Sequence, residues 1–447
     1  MKTVLRIEGI GTETFEGDCS VKEAMNLAGL NRSEWKVEKT KESATKIEYT
    51  LTSRPVVVVM PPVQLYSSQP TPPPIVPPQN SGEIEEETTE QPLESIIAAT
   101  QMEFTITIPR DELQAVLNVI IDIIPKQMMN PALAMVKIVS AEDSITLSAT
   151  DLERSFSVSI PATGTPAAFL VDASLLAREV KALHKSIEDV VLSASGDMVH
   201  INDRCALHLS DVEEFPELPE VTGTTITISN LTAALRAVLP AVNLDQARYT
   251  LTGVYFDFAR GKVVATDGIR LHMETIAAID REACLVPRPA AVMLHKYQAT
   301  EIIISEKHLS AALMGGTFIT RFMEGKFPDY AGIVEGIKNE HTAKFQADEF
   351  LALVPGVLPV SESSAIDMTI NGRIDIDAES SAGSYKWHVP ATSNLIDGAV
   401  KHIRINCKYI MDAIKAYADS ETITMTFPEA YGAITINEKA VIMPIKQ

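Results

Sequence analysis

The chain has 447 residues, with 38 basic and 59 acidic side chains, 46% apolar residues and 6% aromatics. That length exceeds one ordinary core and calls for three or four domains of roughly 100–150 residues each. The net charge of −21 excludes a uniformly basic nucleic-acid glove or a polybasic membrane binder, though not a local basic surface. So few aromatics exclude a broad base-stacking platform.

The first stretch reads as a small unit over 1–54. Thr3 to Ile10 alternates like a strand, and Thr14 to Gly17 can pair back on it. Ser20-Val21-Lys22-Glu23 has the capping-box form, so a helix is expected from there to about Leu30. Trp35 to Glu38 and Lys46 to Thr52 read as two further strands. Two strands, a helix and two strands in so few residues suggest a β-grasp-like module, with no catalytic constellation. Residues 55–92 then hold 10 of the 26 prolines, followed by Glu83, Glu85, Glu86, Glu87, Glu90 and Glu94. Proline stiffens a chain and like charges keep it solvated, so 55–101 is expected to be a disordered tether.

After the tether the chain repeats itself. A strand and a helix, from Met102 and then Arg110 to about Ile124, return as Thr225-Ile-Thr-Ile with Leu231 to Val242, and again as Thr342 to Phe345 with Ala347 to Leu358. Apolar residues sit at helical spacing in each helix, for example Leu113, Val116, Leu117, Ile120 and Ile124. A second helix follows a short strand in each third: Val171 to Leu183, Val286 to about Tyr297, Ile405 to Tyr417. Ala149-Thr150-Asp151-Leu152 returns as Ala265-Thr266-Asp267-Gly268, and Phe215-Pro216-Glu217 as Phe327-Pro328-Asp329. These repeats predict three copies of one α+β domain, at about 102–222, 223–335 and 336–447.

Familiar chemistry is missing from the pattern. There is no Gly-x-x-x-x-Gly-Lys-Ser/Thr, no His-Glu-x-x-His and no Gly-x-Ser-x-Gly. The acidic pair Glu213-Glu214 reads as a solvated loop rather than as metal ligands. The four cysteines, Cys19, Cys205, Cys284 and Cys407, lie far apart, which argues against a disulfide framework or a zinc site. No cofactor and no metal are expected. The apolar runs are too short to span a bilayer and the first residues lack a signal-peptide core, so a soluble, cytoplasmic protein without a membrane partner is expected.

Four phrases carry a resemblance. They are Arg248-Tyr249-Thr250-Leu251-Thr252-Gly253-Val254-Tyr255-Phe256, Val264-Ala265-Thr266-Asp267-Gly268-Ile269-Arg270-Leu271, Gly325-Lys326-Phe327-Pro328-Asp329-Tyr330, and the ending Val441-Ile442-Met443-Pro444-Ile445-Lys446-Gln447. In this order, on a threefold repeat, they resemble the bacterial sliding clamp, the beta subunit of DNA polymerase III, over 102–447. The resemblance implies a non-catalytic processivity factor: a head-to-tail homodimer forming a six-domain ring around double-stranded DNA. Its implied partners are the replicative DNA polymerase, an ATP-dependent clamp loader, and repair polymerases and other clamp-motif proteins.

The resemblance also distributes roles. A hydrophobic peptide cleft is expected from Leu251, Thr266, Gly268, Arg270, Leu271, Pro328, Ile333, Val441, Met443, Pro444 and Ile445, with Met443 as an adaptable lid and Arg270 holding the peptide's polar end. Taken alone, Leu251 and Ile333 read as core residues. Peptide affinities of roughly micromolar strength, about −8 kcal/mol, suit exchanging partners. DNA contacts are expected from Arg178, Lys181 and Lys185, which fall on one helix face opposite Leu176, Val180 and Leu183, and from Lys408 and Lys415 opposite Ile410 and Ile414. Without the resemblance these read equally well as solvated helix faces. Arg248 and Tyr249 match a loop near DNA, and Lys126 and Gln127 lie near a position where the family often has arginine. For the ring joint, Val357 and Leu358 match apolar interface positions, and Cys205 or a neighbour stands where an aromatic is expected. The alternative function is a clamp-fold paralogue that acts as a protein-interaction or regulatory module without a ring on DNA.

Overall fold

The computed structural model describes residues 2–7, 11–16, 35–43, 46–53, 103–125, 130–395, 400–417, 421–429 and 431–446. The helix expected from Ser20 and the tether expected over 55–101 lie outside the described residues, as do Lys126 and Gln127. The chain divides into two units, 1–91 and 92–447.

In the first unit, strands Lys2–Ile7 and Lys46–Ser53 run parallel in the middle of a sheet. Gly11–Glu16 pairs antiparallel with the former and Trp35–Ser43 with the latter. The strand from Trp35 is longer than the sequence suggested, reaching Ser43, and the expected strand end at Ile10 lies outside the described residues.

In the second unit the same helix pair recurs three times. Helix Arg110–Ile123 packs on Ala173–Ala182, Leu231–Val238 on Arg288–Lys296, and Ala347–Val357 on Cys407–Tyr417. Each helix buries one apolar stripe; in the first it is Leu113, Val116, Leu117, Val119, Ile120 and Ile123. Starts have local causes. Asp172 accepts a hydrogen bond from the Leu175 amide at 2.7 Å, satisfying a helix donor that has no internal partner. The sequence ran several helices slightly long, because a turn of tighter helix or an extended cap follows: Leu239–Ala241 follows Val238, Leu358–Val360 follows Val357, and Leu183 after Ala182 is extended.

The sheets cross from one repeat to the next. An eight-stranded sheet joins the first and second thirds where Arg154–Pro161 pairs antiparallel with Gly316–Arg321, placing Phe156 opposite Phe318. A twelve-stranded sheet contains the second and third thirds, joined where Arg270–Thr275 pairs with Ala440–Ile442. Phe156 and Phe318 are both fully buried. At about 1.5–3 kcal/mol for each buried large apolar side chain, the first junction is a continuation of core.

Candidate interfaces: an interdomain cleft, a basic helix face and two open edges

The second junction is built on the repeated Ala-Thr-Asp phrase. Thr266 Oγ1 donates to the Arg270 carbonyl at 2.6 Å and accepts from the Gly268 amide at 3.0 Å. Asp267 Oδ1 accepts from the amides of Ile269 and Arg270, both at 2.9 Å, while Oδ2 takes the Arg270 Nε at 3.1 Å. Thr150, Asp151 and Arg154 make the same set of bonds one repeat earlier. Such side-chain bonds replace those a turn cannot make within its own backbone. Gly268 sits at φ +89°, a conformation that costs residues with a Cβ.

From this turn the chain enters the strand that joins the third repeat, with Leu271 opposite Val441 and Arg270 opposite Ile442. Leu271, Val441, Phe327 and Tyr330 share a satellite core, with Leu251 partly buried against it. Tyr330 is fixed from outside that core: its hydroxyl donates to Asp257 Oδ2 at 2.8 Å. Burial opposes ionisation of Asp257, but hydrogen bonds from Tyr330 and Arg260 outweigh it and hold the carboxyl below its ordinary range. The same Phe327-Pro328-Asp329 phrase leads into a short helix, Tyr330–Glu335, whose Ile333 is 52% exposed. Met443, just past the joining strand, is 38% exposed, its amide donating to the Ile269 carbonyl at 3.0 Å.

The structure thus brings Leu251, Thr266, Gly268, Leu271, Val441 and Met443 together, with Pro328 and Ile333 on the adjoining Phe327–Tyr330 segment. Three expectations change in detail. Arg270 is only 10% exposed in its side chain and is committed to structure: it donates to Asp412 on the Cys407–Tyr417 helix at 2.6 Å and to the Pro240 carbonyl, and it stacks 4.3 Å over Tyr409. Its nitrogens hold the two repeats together instead of reaching toward a peptide. Arg248, expected near DNA, instead donates from Nη1 to the Asp267 carbonyl at 3.2 Å, beside the Gly268 turn. Pro444 and Ile445 pass beyond the cleft and line a separate cavity of about 410 Å³ with Lys401, Arg404, Phe427 and Tyr431. The Ile445 amide donates to the Arg404 carbonyl at 2.7 Å and Tyr431 donates to the Pro444 carbonyl at 2.7 Å.

Beside the cleft, His272 is fully buried. Its Nδ1 lies 2.8 Å from the Ala237 carbonyl and its Nε2 has no partner. Burial, against a weaker pull from that carbonyl, lowers its pKa to about 4, so the ring is neutral at pH 7.

The basic helix face is partly as expected. Arg178 and Lys181 are exposed on Ala173–Ala182 and Lys408 and Lys415 on Cys407–Tyr417. Lys185 is exposed but lies past the helix end, because the helix stops at Ala182. Tyr249 is 50% exposed. The sequence reading missed Arg236 and Lys296, exposed cations on the two helices of the middle repeat. Comparing the helices across the three repeats would have found them. Lys296 joins Arg178 and Lys181 around a groove of about 650 Å³, where it meets Asp122 at 2.6 Å.

At the ends of the repeat array, Cys205 lies on strand Cys205–His208, the outermost strand of its five-stranded sheet. Val357 is fully buried within the third repeat, so its apolar surface is spent on its own core and is not available at a joint. Leu358 packs half-buried beside it. Among the described residues no cluster of His, Cys, Asp or Glu fits a metal ion, and no helix is long and apolar enough to cross a membrane.

Three strand-linked copies of one helix-pair-and-sheet unit, with a satellite apolar core at the second junction, define the DNA-clamp class of fold. Residues 102–219 match the family model of the DNA polymerase III beta subunit, N-terminal domain, and 225–329 that of its central domain. The chain belongs to this family. Among curated relatives, the beta sliding clamp of Chlamydia pneumoniae is 24% identical over 375 residues, covering 77% of this chain and 99% of that one. The beta sliding clamp of Chlamydia trachomatis is 26% identical over 378 residues, covering 77% and 87%. Among solved structures, the DNA polymerase III subunit beta of Pseudomonas aeruginosa superposes with a TM-score of 0.68 at 21% identity, covering 76% of this chain and all of that one. The beta subunit of Thermotoga maritima gives 0.69 at 20% identity, covering 77% of this chain and all of that one.

Proposed function

We propose that the protein is a DNA polymerase sliding clamp, a non-catalytic processivity factor, and that two chains close head to tail into a ring around duplex DNA. The domains are proposed at 102–222, 223–335 and 336–447. One observation carries the reading: each repeat presents a helix pair bearing exposed cations, Arg178 and Lys181, then Arg236 and Lys296, then Lys408 and Lys415, within a chain whose net charge is −21. A basic stripe on an acidic protein favours phosphates on one face and repels them elsewhere. Contacts to phosphate alone carry no sequence information and weaken with salt, as a sliding ring requires.

Partner peptides from the replicative polymerase, the clamp loader and repair proteins are proposed to dock in the cleft around Leu271, Val441 and Met443. Leu251, Thr266 and Gly268 shape its floor, and Pro328 and Ile333 its rim. Arg248 and Tyr249 border it, while Arg270 acts as a positioning residue. Pro444 and Ile445 anchor the C-terminal tail that carries Met443. The 1–54 unit, with parallel central strands between two antiparallel neighbours, is proposed as a β-grasp-like interaction module on a tether at 55–101. A cytoplasmic location follows from this role.

The test is topological. Protein loaded on nicked circular DNA by a clamp loader and ATP should stay bound through gel filtration, and should be lost when the circle is cut once. Equal retention on circular and linear DNA would overturn the ring.

A further inference from the structure

Each repeat places a lysine at the same point of its second helix, and one of the three is held by a carboxylate. The helices begin at Ala173, Arg288 and Cys407, so Lys181, Lys296 and Lys415 stand at the same step from the start. All three are exposed. Lys296 meets Asp122 at 2.6 Å, whereas neither Lys181 nor Lys415 has a carboxylate partner among the described residues. The acid is as singular as the pair. Arg154 donates to the Asp122 carbonyl at 3.2 Å and Arg270 to the Pro240 carbonyl. Those arginines hold the same place in the repeated turn, so Asp122 and Pro240 are counterparts. The buried pairs Val116-Leu117, Ala234-Leu235 and Leu353-Val354 align the three first helices and put Pro359 at the third such position. Proline brings no charge there, and Asp122 brings a negative one.

Asp122 reaches across the first junction. Its Oδ2 accepts from Lys296 Nζ and from the Tyr297 hydroxyl, both at 2.6 Å. The Lys296 ammonium also lies 5.2 Å from the centre of the Tyr297 ring. Burial first, then the Asp122 carboxylate, raises Tyr297 above the ordinary tyrosine range, so its hydroxyl stays a donor. The Asp122 side chain is 32% exposed and that of Lys296 52%. The pair borders the groove of about 650 Å³ that Arg178 and Lys181 also line. Asp122 is the only acidic side chain lining that groove among the described residues. An ion pair this exposed contributes little to stability. Its larger effect is on the field in the groove, since a unit charge acts over about 8 Å at physiological salt.

Resting on the reading above that these helices face DNA, we propose that Asp122 masks Lys296 and so limits the grip of the first junction on a backbone phosphate. Arg178, Lys181 and Lys296 converge on one groove, and three converging cations make a fixed anion site. A ring that slides is slowed by such a site. With Asp122 in place, a phosphate takes Lys296 only by displacing a carboxylate already bonded to it, so the new contact is offset by the lost one. Lys181 and Lys415 offer their charge without that exchange. Asp122 acts on DNA through Lys296 and is a positioning residue.

The experiment uses the full chain and a short fluorescent duplex with open ends, titrated by anisotropy from low to physiological salt. Asp122→Asn removes the charge and keeps an oxygen for Tyr297. It is expected to bind several-fold more tightly at low salt, with the slope of log affinity against log salt steeper by about one. Lys296→Ala is expected to change little by itself and to abolish the gain when combined with Asp122→Asn. Tyr297→Phe removes a bond but no charge, and is expected to lower the melting temperature without changing the slope. An unchanged slope for Asp122→Asn, or a gain that persists after Lys296→Ala, overturns the mask. If Arg178→Glu with Lys181→Glu flattens the slope while Asp122→Asn leaves it unmoved, the DNA-facing wall stands and the mask alone falls. If neither change alters binding, the wall reading falls with it.

Discussion

At the residue scale, Arg270 is committed to contacts within the protein. Its guanidinium ties the Asp267 turn of the second repeat to Asp412 in the third. Arg270→Ala strips Asp412 and the Pro240 carbonyl of a donor in a mostly enclosed setting, so a stability loss of about 2–3 kcal/mol is expected. Arg270→Lys should recover little, because one ammonium cannot span the same partners. Thermal unfolding measures the first effect, and peptide binding near the melting onset the second. A fully stable Arg270→Ala variant with lost peptide binding would restore Arg270 to direct contact. His272 makes a pH prediction of definite sign. Its folded pKa of about 4 lies below its ordinary value of 6.5, so at pH 7 both folded and unfolded chains hold it neutral. As pH falls through 6.5 the unfolded chain takes the proton first. Stability is lost progressively down to about pH 4, by roughly 3 kcal/mol from this group. His272→Gln should flatten that part of the curve, and parallel curves for the two proteins would refute the assignment.

At the scale of elements, the last strand and its tail divide their labour. Ala440–Ile442 is fully enclosed sheet, Met443 is the exposed mouth, and Pro444 onward is pinned by Tyr431 and Arg404. Met443→Ala should change stability by less than about 1 kcal/mol, as for a partly exposed site, yet weaken a fluorescent partner peptide several-fold in an anisotropy titration. Unchanged affinity would move the peptide elsewhere. The helix pairs supply the other element-level prediction. Arg178→Glu with Lys181→Glu should shorten retention on circular DNA and lower the slope of log affinity against log salt by about one per lost phosphate contact. A loss that does not depend on salt would point to misfolding instead. Helical spacing made Arg178, Lys181, Lys408 and Lys415 legible in the sequence. Lys185 was misplaced because helix ends depend on the caps and packing around them.

For the molecule as a whole, the sequence by itself determined the repeat. Recurring Ala-Thr-Asp and Phe-Pro phrases, period-two alternation and apolar helix stripes are local patterns, and local patterns fix turns, strands and helices wherever they recur. Through them the threefold repeat could be read before any coordinates, whereas the cleft residues were implied only by the resemblance that the four phrases carry. Tertiary structure alone decided which groups meet. It enclosed Val357 in its own core, turned Arg248 onto the Gly268 turn, gave Arg270 partners 30 and 142 residues away, and left residues 383–390 and Cys205–His208 with a strand neighbour on one side only among the described residues. These outcomes depend on pairings between distant strands and on the water excluded when they form. A one-dimensional pattern states which face of each element is apolar, but only the folded chain decides what covers it.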